Sequence, residues 1–533
     1  MTPQARYDAV VVGAGFAGLY MLHRLRGLGL SVRVFETGDG VGGTWYWNRY
    51  PGARCDVESM QYSYSFSPEL EQEWEWTERY PSQPEILRYL EHVADRFDLR
   101  RDIRFETRVT RAAYDETAHV WRVETDRGDR VTARHLVTAV GCLSAARVPD
   151  FPGAASFRGA SHHTGRWPHE GVDLTGRRVA VIGTGSSGIQ SIPVIAEQAA
   201  HVTVFQRTPD YSVPAWNRPL EPEYQSWVKA NYPGLRRAMR ESHTGLLDPG
   251  NPGSALEAGD EERAREFEAR WATGGVTFLG AYGDIGISSE ANEHAAEFVR
   301  AKIREIVADP QVAEKLSPRN HPLGTKRICV DTGYYATFNR PDVTLVDVRE
   351  DPIMEITPTG VRTAAAEHPA DVIVYATGYD AMTGPLLAMD ITGKGGLSLR
   401  RKWEAGPRTY LGLMTAGFPN LFTVTGPGSP SVLSNMIVSI EQHVDWIADC
   451  VARLRAGGVA AIDADPLAED AWMAHVNEIA GQTLFVRADS WYLGANIPGK
   501  PRVFMPYVGG VGVYREKCDQ VAADGYEGFV LSS

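Results

Sequence analysis

Two stretches of the chain repeat one order of apolar and polar positions. Each has a short β-branched run, a glycine-rich turn, a helical pattern and a second β-branched run: "YDAVVVGAGFAGLY" is followed by "SVRVFE", and "RRVAVIGTGSSGIQ" by "HVTVFQRT". Short apolar runs bounded by glycine are typical of buried strands in a parallel sheet. The pattern therefore predicts two strand–turn–helix–strand units, each of about thirty residues.

The first unit has the spacing of a dinucleotide-binding turn. Gly13, Gly15 and Gly18 stand in GxGxxG order, and the second strand ends at Glu36. Such glycines let the backbone turn tightly and approach a pyrophosphate at a helix N-terminus. A carboxylate at the end of the second strand accepts hydrogen bonds from a ribose diol. This unit therefore suits FAD or NAD.

The second unit differs where the acid would stand. Gly183, Gly185 and Gly188 repeat the spacing, but the partner strand ends at Arg207 and Thr208. A carboxylate would repel a 2′-phosphate, whereas arginine pairs with it bidentately, so this unit suits NADP. Two such units favour a flavoprotein in which NADPH reduces bound FAD. We predict an α/β fold with two Rossmann-like dinucleotide-binding domains.

A third apolar strand pattern, "ADVIVYATGYD", leads to a glycine turn at Gly378 and would return the chain from the second unit to the first. The stretch between the units and this strand shows helical periodicity with many charges, so we predict a helical insertion there. Whether that insertion is a structural cap or gates the substrate stays open. The predicted domains are a discontinuous FAD-binding domain (1–145 and 378–533), an NADP-binding domain (146–215 and 325–377) and the insertion (216–324).

Composition excludes several classes of partner. The 533 residues are 43% hydrophobic and 23% charged, with a net charge of −13. An acidic chain without a basic run argues against a nucleic-acid or anionic-membrane partner. The apolar segment 9–22 is too short to span a bilayer and lacks a small-residue cleavage site. We expect a monomer that acts on a small molecule.

The cysteines indicate the compartment. They show no CxxC motif and no paired spacing, which argues against a zinc site, a dithiol redox pair and a secreted disulfide framework. We expect no metal and a cytoplasmic location. The five cysteines are Cys55, Cys142, Cys329, Cys450 and Cys518.

The segment "FRGASHHTGRWP" lies between the two units and shows neither helical nor strand period, which predicts a loop. Its Phe157, Gly159, His163 and Trp167 resemble the fingerprint FxGxxxHxxxW[PD] of type I Baeyer–Villiger monooxygenases. "GGTWYWNRYPGARCD", "GTKR", "GPGSPSVLSNM" and "SWYLGANIPGKPRVF" are also similar to that family. The resemblance covers nearly the whole chain and is closest to the phenylacetone, steroid and cyclohexanone monooxygenase group.

This resemblance implies an activity. In the family, NADPH reduces FAD, and the reduced flavin combines with O2 at C4a. The resulting peroxyflavin attacks a ketone, and the adduct rearranges to an ester or lactone. The fingerprint segment would be a hinge crossing between the FAD and NADP domains, with His163 more often an anchor than a catalytic base.

The resemblance also implies roles for single residues. Arg327 matches the catalytic arginine that stabilises an anion, and Asp56 matches its carboxylate partner. Lys326 matches a residue that grips the 2′-phosphate together with Arg207, and Trp491 matches a residue of a loop that closes over the nicotinamide. Ser431, Val432 and Leu433 would line the ketone pocket.

The remaining cofactor contacts fall into two groups. The FAD-side group is Gly13, Gly15, Phe16, Ala17, Gly18, Glu36, Gly43, Thr44, Trp45, Tyr46, Trp47, Arg54, Asp56, Val57, Tyr62, Val109 and Met436. The NADP-side group is Gly183, Thr184, Gly185, Ser186, Ser187, Gly188, Gln206, Arg207, Thr208, Lys326 and Trp491.

Three alternatives remain open at this level. Flavin-containing monooxygenases that oxidise nitrogen or sulfur share both dinucleotide units. A disulfide reductase is disfavoured by the absence of CxxC. A non-catalytic NADP-binding sensor is disfavoured because Asp56, Lys326 and Arg327 are all present.

Overall fold

A computed structural model describes residues 5–248 and 250–533. Residues 1–4 of the predicted FAD-binding domain lie outside the described residues. The strands are β1 (Ala5–Val12), β2 (Val32–Phe35), β3 (Ile103–Arg104), β4 (Val109–Asp115), β5 (Val120–Thr125), β6 (Arg130–Thr138), β7 (Ala160–His163), β8 (Arg178–Ile182), β9 (His201–Gln206), β10 (Ser212–Pro214), β11 (Cys329–Asp331), β12 (Val343–Asp347), β13 (Ile353–Thr357), β14 (Gly360–Thr363), β15 (Glu367–Pro369), β16 (Val372–Tyr375), β17 (Asp390–Thr392), β18 (Leu421–Thr423), β19 (Ala461–Ala464) and β20 (Phe529–Ser532).

Helices cover the sheets and form most of the segment between β10 and β11. They are α1 (Phe16–Gly27), α2 (Thr44–Trp47), α3 (Pro68–Glu73), α4 (Gln83–Arg96), α5 (Ser186–Gln198), α6 (Pro222–Glu241), α7 (Asp260–Thr273), α8 (Ser289–Ile306), α9 (Pro310–Leu316), α10 (Tyr334–Thr337), α11 (Gly384–Leu387), α12 (Leu399–Lys402), α13 (Met436–Ala456), α14 (Pro466–Gly481) and α15 (Val511–Ala523). In the described part of the chain, no helix has the length and apolarity that a bilayer span requires.

The first glycine turn belongs to a large mixed sheet with the strand order β17-β4-β5-β6-β1-β2-β3, and β18 also pairs with β6. Strand β1 is parallel to both β2 and β6. Its last four residues are buried because helices cover both faces of such a sheet. Helix α1 packs with α13 in one apolar cluster, so N-terminal and C-terminal segments build this half together.

The second glycine turn belongs to a five-stranded sheet with the order β12-β9-β8-β16-β7. Strands β8, β9, β12 and β16 are parallel, as expected for a doubly wound unit. Strand β16 is the third apolar pattern of the sequence, and all four of its residues are buried. The predicted α/β class with two Rossmann-like domains is confirmed.

The chain passes between the two halves in two adjacent segments. Ala146 pairs antiparallel with Tyr379, Arg147 donates its N–H to the Gly378 carbonyl at 3.0 Å, and Asp380 donates to the Ala145 carbonyl at 2.8 Å. Both crossings therefore share one short hydrogen-bonded ladder. The exact division into domains stays a prediction.

The fingerprint segment differs from the expectation of a loop that forms the crossing. Residues 160–163 form β7, a parallel edge strand of the second sheet, and the pairing of this strand with β16 is invisible in its polar sequence. Trp167 is buried in the apolar cluster of the second half, and Phe157 packs against the other face of that sheet. The prediction of a loop was therefore wrong for β7, and the segment lies beside the crossing instead of forming it.

His163 connects the fingerprint to the crossing. Its Nδ1 accepts a hydrogen bond from the Gly165 N–H at 2.9 Å, and its ring lies 5.8 Å from the Tyr379 ring. Burial lowers the pKa of His163, although the nearby carbonyls of Gly378 and Arg147 oppose the change. The buried imidazole therefore packs against the crossing through Tyr379, and its role as an anchor stays a prediction.

The helical insertion contacts both halves. Val228 and Tyr232 of α6 join the apolar cluster of the first half, and Arg236 pairs with Glu71 at 2.8 Å. Helices α7 and α8 instead join the cluster of the second sheet. The insertion therefore closes one side of the cleft between the two sheets.

Candidate active site

Both glycine turns have the shape that a dinucleotide requires. A Cβ at Gly18 would collide with the carbonyl oxygen of Gly13, and a Cβ at Gly188 with that of Gly183. Because the helix starts this close to the strand, its N-terminus points across the turn. A Cβ at Gly185 would meet nothing within 4 Å. The middle glycine of the second turn thus leaves its backbone open to a pyrophosphate, and these residues fit an NADP group.

Glu36 is fixed at the end of β2. Its carboxylate accepts the N–H groups of Ala14 at 2.7 Å and Gly38 at 2.8 Å. Burial raises the pKa of Glu36 above its usual range, and these backbone hydrogen bonds oppose the rise. Each carboxylate oxygen has a second lone pair, so the group can still accept a ribose hydroxyl. The residues present at the first turn fit FAD.

The positive charges of the second unit lie near each other. Arg207 is exposed at the end of β9, and Lys326 is half-buried on the segment that leads into β11. Burial lowers the pKa of Lys326; Asp210 opposes this change, and the charge of Arg207 adds to it. Two neighbouring cations repel each other, and an anion bound between them relieves this repulsion. The negative charge of a 2′-phosphate would have this effect on Arg207 and Lys326.

Asp56 and Arg327 come together although they are far apart in the sequence. Arg327 Nε lies 3.6 Å from Asp56 Oδ2, and the Asp56 side chain is 10% exposed while that of Arg327 is 31% exposed. Asp56 follows the turn after α2, whereas Arg327 precedes β11. The cleft between the two halves therefore contains an ion pair with one member on each side.

Burial and the ion pair control the charge of both groups. Burial raises the pKa of Asp56, and the attraction of Arg327 opposes that rise without cancelling it. Burial alone would lower the pKa of Arg327, but the negative charge of Asp56 reverses the direction and leaves it raised. Arg327 thus stays cationic, while Asp56 is a better proton acceptor than an exposed aspartate.

The predicted ketone-pocket loop touches the same arginine. Arg327 donates from Nη1 to the Val432 carbonyl at 3.1 Å. Residues 431–433 form a 3₁₀ turn in which Ser431 has a φ of 42° and directs its hydroxyl towards Cys142 at 3.1 Å. Ser431 therefore positions the loop, and Val432 and Leu433 supply apolar surface beside Arg327.

Trp491 lies on a neighbouring 3₁₀ turn. The rings of Trp491 and Tyr492 are 4.3 Å apart, and both join the apolar cluster that contains Val432 and Leu433. Burial raises the pKa of Tyr492 to about 12, and Arg327 opposes the rise. The loop that carries Trp491 therefore packs on the same side of the cleft as the ketone-pocket loop.

The other predicted FAD-side residues divide into surface and core positions. Trp45 donates to the Tyr62 hydroxyl at 3.2 Å, and the Tyr62 ring lies 5.4 Å from Phe16, so these three form one aromatic wall. Arg54 donates to the Tyr80 carbonyl at 2.6 Å. The buried members of the set are Phe16, Ala17, Trp45, Tyr46, Val57, Tyr62 and Val109, the partly buried ones are Gly43, Trp47, Arg54 and Met436, and Thr44 is exposed.

Gln206 is the predicted NADP-side residue with the least access to a ligand. It is fully buried and donates to the Lys315 carbonyl at 2.7 Å, so its side chain is turned towards α9. The other members surround the turn: Thr184 donates to the Thr208 carbonyl at 3.0 Å, and Ser187 accepts from Thr164 at 3.2 Å. Ser186 lies 3.3 Å from the Cys329 sulfur.

Sequence reasoning missed two side chains that contact the ion pair. Gln190 on α5 donates from Nε2 to Asp56 Oδ1 at 3.3 Å, and Tyr492 packs beside Arg327. Gln190 carries a weak sequence signal, because a polar residue there interrupts the apolar helical pattern after the third glycine. Tyr492 carries none beyond its place next to Trp491.

A cavity of about 370 Å³ reaches Asp56 from the side of the insertion. Its walls come from the FAD-side segment around Val57, the loop before α7, helix α7 and the turn that follows it. Its lining includes Val57, Leu246, Leu247, Ala269 and Thr277.

Comparisons with known proteins agree with this geometry. A family model described as pyridine nucleotide-disulphide oxidoreductase matches residues 10–236, which hold both glycine turns. A Baeyer–Villiger monooxygenase of Pseudooceanicola batsensis is 46% identical over 99% of this chain and 97% of its own. A phenazine N-monooxygenase of Lysobacter antibioticus is 44% identical over 99% and 98%. A solved steroid monooxygenase bound to NADP is 57% identical, with a TM-score of 0.96 over 99% of this chain and all of its own.

The two dinucleotide-binding halves and the ion pair between them define a two-domain flavoprotein oxidoreductase. Within that class, the chain belongs to the Baeyer–Villiger monooxygenases, which use FAD, NADPH and O2 to insert one oxygen atom beside a ketone carbonyl. The predicted family and the cofactors FAD and NADPH are confirmed.

Proposed function

We propose that this chain oxidises a small ketone to an ester or lactone at the Asp56–Arg327 pair, as a cytoplasmic monomer. The contact that carries the proposal is made by Arg327, which lies 3.6 Å from Asp56 and 3.1 Å from the Val432 carbonyl. One cation thus touches both the FAD side of the cleft and the loop expected to hold the ketone. When bound, FAD supplies the reaction with oxygen.

Each residue of the chain has a limited task in this proposal. The guanidinium of Arg327 stays charged and offers donors to negative charge that develops on the substrate carbonyl oxygen. Asp56 keeps Arg327 oriented, and its raised pKa lets it take and return a proton. Val432 and Leu433 exclude water, which strengthens both interactions.

The experiment is aerobic turnover with NADPH over a panel of cyclic, aryl-aliphatic and steroidal ketones, with products analysed by mass. A gain of one oxygen atom in a ketone, with ester connectivity by NMR, supports the proposal. Phenazine and a tertiary amine belong in the same panel, because a relative of nearly equal identity is named as an N-monooxygenase. Oxygen gain only at nitrogen would overturn the ketone assignment. Sedimentation of the same preparation tests the monomer.

We also propose that the ketone reaches Asp56 through the cavity beside the insertion, which gives the insertion a gating role. Ala269 lies on the exposed face of α7 and lines that cavity, so tryptophan there would narrow it. For Ala269→Trp we expect KM for a bulky ketone to rise about tenfold, equivalent to about 1.4 kcal/mol of binding. KM for acetone should change little.

Ala264 provides the matched control, because it is exposed on the same helix and does not line the cavity. Ala264→Trp carries the same change in volume and helix propensity. Equal kinetic effects of the two substitutions would show that the ketone takes another route.

A further inference from the structure

Within the described residues, Gln190 is the one side chain of α5 that forms a hydrogen bond with Asp56. Helix α5 carries the second glycine turn at its start, while Asp56 belongs to the FAD-binding half. Gln190 is 6% exposed, so it is shielded from water. A contact between the two halves therefore ends on one member of the ion pair.

All four hydrogen-bonding positions of the Gln190 amide are used. Nε2 donates to the Arg54 carbonyl at 3.0 Å and to Asp56 Oδ1 at 3.3 Å. Oε1 accepts from the Tyr50 hydroxyl at 2.8 Å and from the Arg54 N–H at 3.3 Å. A flipped amide would set its NH2 group against the Arg54 N–H and its oxygen against two acceptors, so only one orientation satisfies every partner. The donor that faces Asp56 is therefore fixed.

The backbone around this contact requires close approach. Gly52 has a φ of 80°, and a Cβ there would collide with the carbonyl oxygen of Gln190. A glycine at this position lets the turn at residues 50–52 lie directly on α5. The distance between Gln190 and Asp56 is thus set by main-chain packing of the two halves.

Other titratable groups around Asp56 are neutral near pH 7. They are Tyr50, Cys55, Tyr80 and Cys329, and they surround Asp56 together with the cationic Arg327. Burial raises the pKa of Cys55 to about 12, and it also raises the pKa values of Cys329, Tyr50 and Tyr80. Arg327 is the charged group paired with Asp56. The charged side chains that line the cavity next to Asp56 are paired with one another: Arg79 with Glu58, and Arg270 with Asp248 and Glu266.

We propose that Gln190 is a positioning residue that stabilises the Asp56 carboxylate only while the NADP-binding half is docked on the FAD-binding half. The donor from Nε2 favours the ionised form of Asp56, whereas its loss favours the protonated form. Docking of the two halves thus adjusts the proton affinity of Asp56. The inference rests on the proposed role of Asp56 beside Arg327.

The test measures protonation of Asp56 directly in the holoenzyme without ketone. Infrared difference spectra over a pH series give the carbonyl band of protonated carboxyl groups, and the Asp56 band is the one lost in Asp56→Asn. Gln190→Leu should move the midpoint of that band upward by about 0.3–1 pH unit, a two- to tenfold change in proton affinity. Gln190→Glu keeps the size and adds a second carboxyl group, so the two groups titrate as a pair, and the first of their protons should bind at a higher pH than the proton of Asp56 in the wild type.

Val194→Ala is the matched control. Val194 lies one turn further along α5 beside Gly52, and its truncation removes apolar contact at the same junction, while Gln190 and its four hydrogen bonds keep the two halves docked. Its band midpoint should stay at the wild-type value. An unchanged midpoint in both Gln190 variants, or an equal shift in Val194→Ala, would overturn the inference. Failure of ketone oxidation would leave this measurement intact, so the two proposals fail separately.

Discussion

Arg327→Ala is expected to separate flavin reduction from oxygen insertion. Ester formation should fall at least about a hundredfold, which is the scale for loss of one preorganised donor to developing negative charge. Reduction of the flavin by NADPH should persist, because we expect the second glycine turn, Arg207 and Lys326 to hold that cofactor. Each NADPH that is oxidised without ester formation should then yield one hydrogen peroxide from O2.

Stopped-flow absorbance measures the two steps separately: reduction under nitrogen, then reoxidation after mixing with oxygen and ketone. Because Arg327→Ala leaves Asp56 buried without its partner, thermal unfolding must be measured as well; such a loss costs about 3–5 kcal/mol. Arg327→Lys keeps the charge but not the fork of donors, and we expect intermediate ester yield from it. Near-normal ester formation by the alanine variant would show that another group stabilises the developing charge.

The sequence pattern was sufficient to predict those strands and turns whose residue types are dictated by their local environment. The strand and glycine turn at residues 9–18 could be recognised because a buried parallel strand is apolar throughout and a tight turn needs glycine. Strand β7 could not be recognised in this way. Its four residues are mostly polar and exposed, and only their pairing with β16 makes them a strand. An edge strand of this kind depends on tertiary contacts that no local period contains.

The site divides in the same way. Asp56 and Arg327 were predicted from resemblance, because nothing in a lone arginine before a short strand indicates a partner far away in the sequence. Their distance of 3.6 Å follows from the docking of two sheets. Gln190 escaped prediction because its three partners, Tyr50, Arg54 and Asp56, all lie in the other half of the molecule. Contacts between halves depend on docking, which sequence periodicity does not describe.

Arg207 and Lys326 should together give a strong preference for NADPH over NADH. Each charged hydrogen bond to the 2′-phosphate contributes roughly 1.5–3 kcal/mol, so loss of either residue should weaken NADPH binding about tenfold or more. The double variant should lose less than the product of the two single effects, because in this proposal both residues contact one phosphate group. Binding of NADH, which lacks that phosphate, should change little.

The lowered pKa of Lys326 adds a pH dependence with a definite sign. As pH rises, Lys326 loses its proton at a lower pH than an exposed lysine would, so NADPH affinity should decline earlier in the wild type than in Lys326→Ala. Titration of flavin-reduction rates against NADPH and NADH concentration, repeated over a pH series, measures both effects. Arg177→Ala, an exposed arginine of the same half, controls for the change in net charge.

Because Arg207 and Lys326 repel each other without the phosphate, each single variant should unfold at the same temperature as the wild type or slightly higher when NADPH is absent. Equal use of NADPH and NADH by the unmutated chain would remove both residues from the proposed phosphate site.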